Sequence, residues 1–451
     1  MLLPWITMGL IAAISHLFVN ATFHTQYLEL ISWINVLVVS LVFFMTTMVK
    51  YKDPMVFTLV SLGYVFRVGL LFWDTYFRHI FNLMHSGADS EMFYRNARNI
   101  FLTGVSLDNL TEFYQFVALT FHLFGPSRIM AQYTNLLLAM TAILPLISLA
   151  DRLKLHPSTK HIMLLLAFFV PNFAFVNVIL LREVQVMILL SFSFYGFLWW
   201  ILDKKLWGLA LALILPTIAV DIHRGAFAPL IGYMICLALY DRKTKRLRIT
   251  PRTIFFGIIT ILSIPTIDYM LDLNLLYNVE TVDDFASDLA SPALLSYEQQ
   301  GGSTFSAEII QTGNSLADMI INTPIRIVYF ALVPMPWYWR GLNDILAFTL
   351  SSLPYLGMYT VSFKALRIKG VKPYTGLISI SLIIVLASFF IYGWGVSNSG
   401  TAMRHRDKFF LHHVLMASLG IEQLYRNRAR LLALTKQKEI YGYLKQAIQN
   451  I

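Results

Sequence analysis

Four short charged motifs interrupt a chain that is otherwise strongly apolar. They are Asp89-Ser90-Glu91, Arg182-Glu183, His223-Arg224 and Arg404-His405-Arg406. A carboxylate can take a proton from an attacking hydroxyl. Guanidinium groups bind phosphate oxygens in a bidentate way, and histidine can hydrogen-bond or protonate. Acids, arginines and histidines gathered on one face would therefore suit chemistry at a phosphate-bearing ligand. Each motif falls at the end of a hydrophobic span, so the spans decide whether they gather.

The 451 residues are 57% hydrophobic and 13% charged, with a mean hydropathy of +0.63. Soluble domains carry about 25% charged residues. Apolar runs long enough to cross about 30 Å of hydrocarbon recur from end to end. The fold class is all-α: a polytopic membrane protein of about twelve transmembrane helices. The spans lie near residues 2–20, 28–48, 54–73, 128–150, 162–181, 184–202, 206–222, 225–241, 253–271, 342–362, 374–394 and 408–424. The segments Phe113–Phe124 and Ile325–Pro334 are too short to span and read as interfacial or re-entrant. No soluble block divides the chain, so residues 1–451 read as a single integral membrane domain. Met1 to Val19 lacks a basic leader and a cleavage site and reads as a retained helix. Cys236 is the only cysteine, which excludes an internal disulfide and a cysteine-based metal cluster.

The loops sort by charge. One side holds 23 of the 35 Lys and Arg residues but only six of the 25 acids. The positive-inside rule makes that side cytoplasmic, with both termini inside the plasma membrane. The formal charge of +10 is then mostly topology and needs no nucleic-acid partner. The tail, residues 426–451, reads as a basic amphipathic helix on the inner leaflet. All four charged motifs fall on the opposite, outer side.

Two outer loops are long, about 74–128 and 272–324. In the first, Asp89 is expected to cap an interfacial helix that runs to Leu102 and stops at Gly104. Phe93, Ala97, Ile100 and Phe101 share its apolar face. Asp89 and Glu91 are two apart and diverge on a helix, so only one points into a site, and capping favours Asp89. The plain alternative is an N-cap with a Glu91–Arg95 ion pair. The second loop carries Glu280, Asp283, Asp284, Asp288, Glu298, Glu308 and Asp318 around a flexible Gln299–Ser303 stretch, and reads as a lid or a solvated linker. Arg182 and Glu183 point apart at a costly span end and each needs its own partner. Arg67, inside the third span, reads as a structural pair with Asp268.

No Gly-rich phosphate loop, HExxH or GxSxG motif is present, so ATP-driven transport is not expected. The adjacent His412-His413 do not share a face and make a poor metal site. No motif supports any cofactor; a divalent metal stays open without sequence support.

Gly87-Ala88-Asp89-Ser90-Glu91, with Tyr94-Arg95-Asn96-Ala97, then Phe124-Gly125-Pro126-Ser127-Arg128 and Leu180-Leu181-Arg182-Glu183, resemble the polyprenyl-phosphate-dependent glycosyltransferases of the GT-C superfamily. Pro334-Met335-Pro336-Trp337 and Gly400 to Arg406 look like segments of bacterial surface-polysaccharide membrane enzymes. His223-Arg224-Gly225 is similar to the Arg-Gly element of O-antigen polymerases. The resemblance implies a glycosyltransferase of cell-surface polysaccharide assembly that acts on a polyprenyl-linked sugar at the outer face. It puts the base on Asp89 or Glu91. Tyr94, Arg95, Arg182, Glu183, His223, Arg224, Arg404, His405 and Arg406 are then the substrate-binding candidates. The acids here are Asp-Ser-Glu, where the family pattern has two adjacent acids. Expected partners are the lipid-linked sugar, membrane lipids and other polysaccharide-assembly proteins. A flippase or secondary transporter of an anionic solute, and a non-catalytic assembly subunit, are the competing readings.

Overall fold

The computed structural model describes residues 2–22, 27–104, 112–241, 316–368 and 373–449, with short stretches between 244 and 259. The described chain is almost entirely helical. A two-residue ribbon pairs Tyr240 with Leu247 and Asp241 with Arg246, antiparallel.

Helices α1 (Leu2–Thr22) and α2 (Leu28–Lys50) precede α3 (Pro54–Tyr76). Asp53 starts α3 by accepting from the Met55 and Val56 amides, and Pro54 occupies the first helical turn, where its missing N–H costs nothing. Next come α4 (Ala88–Thr103), α5 (Glu112–Phe124) and α6 (Arg128–Arg152), the last capped by Ser127. The fifth predicted span is a broken one. It consists of α7 (Pro157–Phe169) and α8 (Pro171–Val178), bent by 52°. Pro171 cannot continue the ladder of α7, so carbonyls are freed at the break. Arg67, fully buried on α3, donates to two of them, Ala167 O at 3.1 Å and Phe168 O at 2.9 Å. Its observed partners are thus carbonyls. Asp268, the partner expected from sequence, lies outside the described residues.

Helices α9 (Glu183–Asp203) and α10 (Leu206–Ile222) cross closely at Gly196 and Gly208. A Cβ on Gly208 would sit 2.5 Å from the Gly196 carbonyl oxygen, so the crossing requires glycine. The remaining elements are α11 (Ala228–Leu239), α12 (Leu316–Leu332), α13 (Leu342–Arg367, with a π-helical turn at Phe348–Ser352), α14 (Thr375–Gly395), α15 (Ser399–Asp407) and α16 (Phe410–Gln449).

Six helices among the described residues are long and apolar enough to cross a membrane, or seven if the bent pair is one span. The expected spans 206–222 and 225–241 are apolar helices shorter than that limit. Most of 253–271 lies outside the described residues, as do the acids of the second long loop up to Glu308. From Leu316 that loop is already helix, and the stretch expected to be interfacial or re-entrant, Ile325–Pro334, mostly completes α12. The other stretch expected to be interfacial or re-entrant, Phe113–Phe124, forms helix α5 and packs into the bundle. Phe113, Val117, Phe121 and Phe124 are buried, and Phe113 packs edge-on against Phe93 of α4 at 4.7 Å. The tail is not a separate helix. Residues 421–449 hold no proline and are rich in helix formers, so α16 continues unbroken for 40 residues, about 60 Å at 1.5 Å per residue.

The bundle has two polar ends. At one, Arg152 pairs with Asp203, and Glu422 of α16 receives hydrogen bonds from the His156 amide, the Thr159 hydroxyl and Arg426. The other end holds the charged motifs.

Candidate functional site

The four motifs, spread over more than 300 residues, meet. Arg404 of α15 forms an ion pair with Asp89 of α4. The Glu183 Oε1 lies 3.6 Å from His405 Nδ1. His405 Nε2 is 3.2 Å from His223 Nε2, and His223 Nδ1 is 3.2 Å from the Tyr392 hydroxyl. Lys408 Nζ approaches His405 Nδ1 at 3.1 Å. Burial, then the Lys408 charge, pushes the His405 imidazole down to about 3. A neutral His405 makes its contact with Glu183 something other than an ion pair. The other Glu183 oxygen is buried without a hydrogen-bond donor among the described residues.

Local backbone chemistry aims Asp89. The helix begins two residues earlier than expected, and the N-cap is Gly87 instead of Asp89. Gly87 has φ 142°, which a side chain would strain. The Ser90 hydroxyl, at the third helical position, accepts from the Gly87 amide at 3.1 Å, which ties the helix start without an acid. Asp89, relieved of capping, has a side chain 44% exposed and lines a pocket of about 370 Å³. His85, Ser86, Asn398, Gly400, Thr401 and Arg404 complete the lining.

Glu91 is placed differently. It lies between Arg78 and Arg128, both within ion-pair distance. Burial works against its charge, but these two arginines outweigh that and hold its carboxyl below the ordinary value. The same arginines reach Asp74, which is fully buried and also receives Gln132 at 2.7 Å and Ser86 at 2.6 Å. This network pins the segment between α3 and α4. The expected Glu91–Arg95 ion pair is not formed: Arg95 Nε contacts the Glu91 carbonyl oxygen at 3.4 Å. Tyr94 reaches the Pro126 carbonyl at 3.4 Å and lies under the Arg128 guanidinium. Tyr94 and Arg95 therefore accompany Glu91, outside the lining of the pocket.

The remaining arginines divide. Arg406 is fully buried, donates to Ala331 O, Ser351 and Ser352, and stacks on Tyr355. It ties α15 to α12 and α13. Arg182 is half-buried and Arg224 exposed, and neither has a hydrogen-bond or ion-pair partner among the described residues. Both are free to meet an anion. Among the described residues no group of three or more His, Cys, Asp or Glu could hold a metal. The doublet splits as its spacing implies: His413 bonds Tyr359, whereas His412 stacks on Phe194.

Sequence reasoning missed His85, Asn172, Arg78, Arg128 as a charge, and Asp407. His85 sits at φ 69°, in the left-handed region that favours glycine. Its Nε2 bonds Asn172 Oδ1 at 3.0 Å, and Asn172 Nδ2 donates to Asp407 at 2.7 Å. One signal was available: Asn172 follows a span-breaking proline within apolar sequence, where a bare amide needs a partner.

A second cavity, of about 530 Å³, is almost wholly apolar and is lined by Phe66, Leu70, Trp73, Phe81, Leu83, Phe175 and Leu350 among others. The α3–α4 segment serves both cavities, giving His85 and Ser86 to the polar one and Phe81 and Leu83 to the apolar one.

No protein-family model matches the chain. No curated protein and no solved structure matches it either.

Proposed function

We propose that the protein is a membrane glycosyltransferase acting at the Asp89–Arg404 pocket on a polyprenyl-phosphate- or diphosphate-linked sugar, in cell-surface polysaccharide assembly. The observation that carries this reading is an acid and a guanidinium sharing a polar pocket, lined in part by a segment whose preceding residues line an apolar cavity. A lipid-linked sugar has the matching parts: hydroxyls and phosphate at one end, hydrocarbon at the other.

In the chemistry proposed, substrate separates the resting ion pair. Asp89 takes the proton of the acceptor hydroxyl as its oxygen bonds to the anomeric carbon. The bond from that carbon to phosphate oxygen breaks, and its electron pair leaves with the phosphate. Arg404 stabilises the charge that develops there, with Arg182 and Arg224 as further cations for a diphosphate. Glu91 serves by position, holding Arg78 and Arg128. The proposal also keeps the charge-derived topology: about twelve spans, both termini cytoplasmic and the site on the outer face of the plasma membrane.

The test is mass spectrometry of lipid-linked oligosaccharides after incubation with purified protein in liposomes. New glycosidic product supports the reading, and its length separates repeat-unit polymerisation from single-sugar transfer. One observation favours a second reading. The buried run Lys408–His405–His223–Tyr392 is the kind of polar chain that serves proton-coupled transport. Substrate that changes leaflet without changing mass would support transport and contradict transfer.

A further inference from the structure

The hydrogen bonds behind His85 have a direction. Asp407 is buried, and its Oδ1 accepts from the Tyr355 hydroxyl at 2.8 Å. Its Oδ2 accepts from Asn172 Nδ2 at 2.7 Å. Burial pushes the Asp407 carboxyl up to about 7; above that pH it is ionised and can only accept, so the Asn172 amide turns its NH₂ toward Asp407. That leaves Asn172 Oδ1, an acceptor, facing His85 Nε2 at 3.0 Å. His85 must then carry its proton on Nε2. Nδ1 is left as a bare lone pair with no protein partner among the described residues, on a ring that lines the pocket. Burial, then the Arg404 charge, pushes the imidazole down to about 4, so it stays neutral near pH 7. Arg406 acts in the same direction, whereas Glu183 opposes it. Holding a non-glycine residue at φ 69° costs energy, and such outliers gather at functional sites.

We infer that His85 offers an unprotonated Nδ1 to the pocket and accepts a hydrogen bond there from a hydroxyl of the bound ligand. Asn172 and Asp407 are positioning residues that fix its tautomer. That the hydroxyl belongs to a sugar rests on the function proposed above; the tautomer does not. The arrangement favours a ligand hydroxyl and rejects an analogue lacking it, because the lone pair would then be left dry.

Two measurements test this without relying on turnover. The first is the ¹⁵N resonance of His85 in the wild-type protein, assigned by its loss in His85→Gln. A pyridine-type Nδ1 with a pyrrole-type Nε2 is expected, and the reverse pattern overturns the chain. The second is acylation by diethyl pyrocarbonate, which attacks accessible unprotonated imidazole nitrogen, read at His85 by peptide mass spectrometry. Asp407→Asn lets the Asn172 amide turn over and moves the proton to Nδ1, so labelling should fall at least tenfold. Unchanged labelling in that variant contradicts the positioning role. Lipid-linked oligosaccharide extracted from the producing cells should protect His85, whereas undecaprenyl phosphate without sugar should not. Equal protection by both, or by neither, overturns the hydroxyl contact while leaving the tautomer to the first measurement. Absence of glycosyl product from the wild-type protein, with these measurements as expected, would count against the proposed function alone.

Discussion

The two polar ends of the bundle use the same residue types to different effect. At the basic end, acids are consumed by helix starts and near neighbours. Glu422 satisfies the start of α7, Asp53 caps α3 and pairs with His161, and Lys160 binds Asp151, whose side chain is 61% exposed. Such pairs steady the fold, and the exposed ones contribute little. At the motif end, Asp89 and Arg404 pair across 315 positions of sequence and line a cavity, and Glu183 keeps an oxygen without a donor among the described residues. Buried charge left incompletely satisfied is costly and is retained where something charged must be met. An ion pair alone therefore marks no site. What distinguishes the motif end is access: its charges face a space that a ligand can enter.

That contrast can be broken by substitution. The largest expected effect is at Asp89. Asp89→Asn should lower glycosyl product by about 100-fold or more, the range of a lost general base, with the unfolding temperature unchanged. Glu91→Gln should act oppositely. Arg78 and Arg128 would lose their shared acceptor, so the protein should lose stability in detergent while retaining most of its turnover per folded molecule. Arg67→Met should cost about 2–4 kcal/mol in thermal unfolding, because the carbonyls freed at the Pro171 break lose their donors. Glu422→Ala, at the other end, should cost about 2 kcal/mol, since it removes charged acceptors from the His156 amide, Thr159 and Arg426.

The smallest effect is a pH dependence. Burial pushes the Asp407 carboxyl up to about 7, against the pull of Arg406 and of hydrogen bonds from Tyr355 and Asn172, with Glu183 adding to the rise. The ionised form that orients Asn172 is thus present above about pH 7 and is lost as pH falls through it. Labelling of His85 should decline across that step, and Asp407→Asn should abolish the step. A decline that persists in the variant would assign it to another group.

Much of this contrast is legible in sequence. Apolar runs mark most of the helices, and the sign of the loops separates the motif end from the basic one before any contact is known. The distance between partners is what sequence conceals. Nothing in Arg404-His405-Arg406 distinguishes Arg404, which meets Asp89, from Arg406, which is spent on Ala331, Ser351 and Ser352. Helix rotation decides that, and a neighbour on a helix points about 100° away. Arg67 teaches a related lesson. Sequence offers an acid as partner for a buried cation, but a broken helix offers carbonyls instead. Sequence singles out Asp89 as a helix cap; the structure gives capping to Gly87 and Ser90, and the carboxylate turns to the pocket for a different reason.

The most direct test sets one residue from each end side by side. Purified wild-type, Asp89→Asn and Glu422→Ala proteins are assayed for lipid-linked glycosyl product by mass spectrometry, alongside thermal unfolding in the same detergent. The account predicts that Asp89→Asn loses product and keeps its unfolding temperature, while Glu422→Ala loses unfolding temperature and keeps product per folded molecule. Equal product from wild type and Asp89→Asn would contradict it.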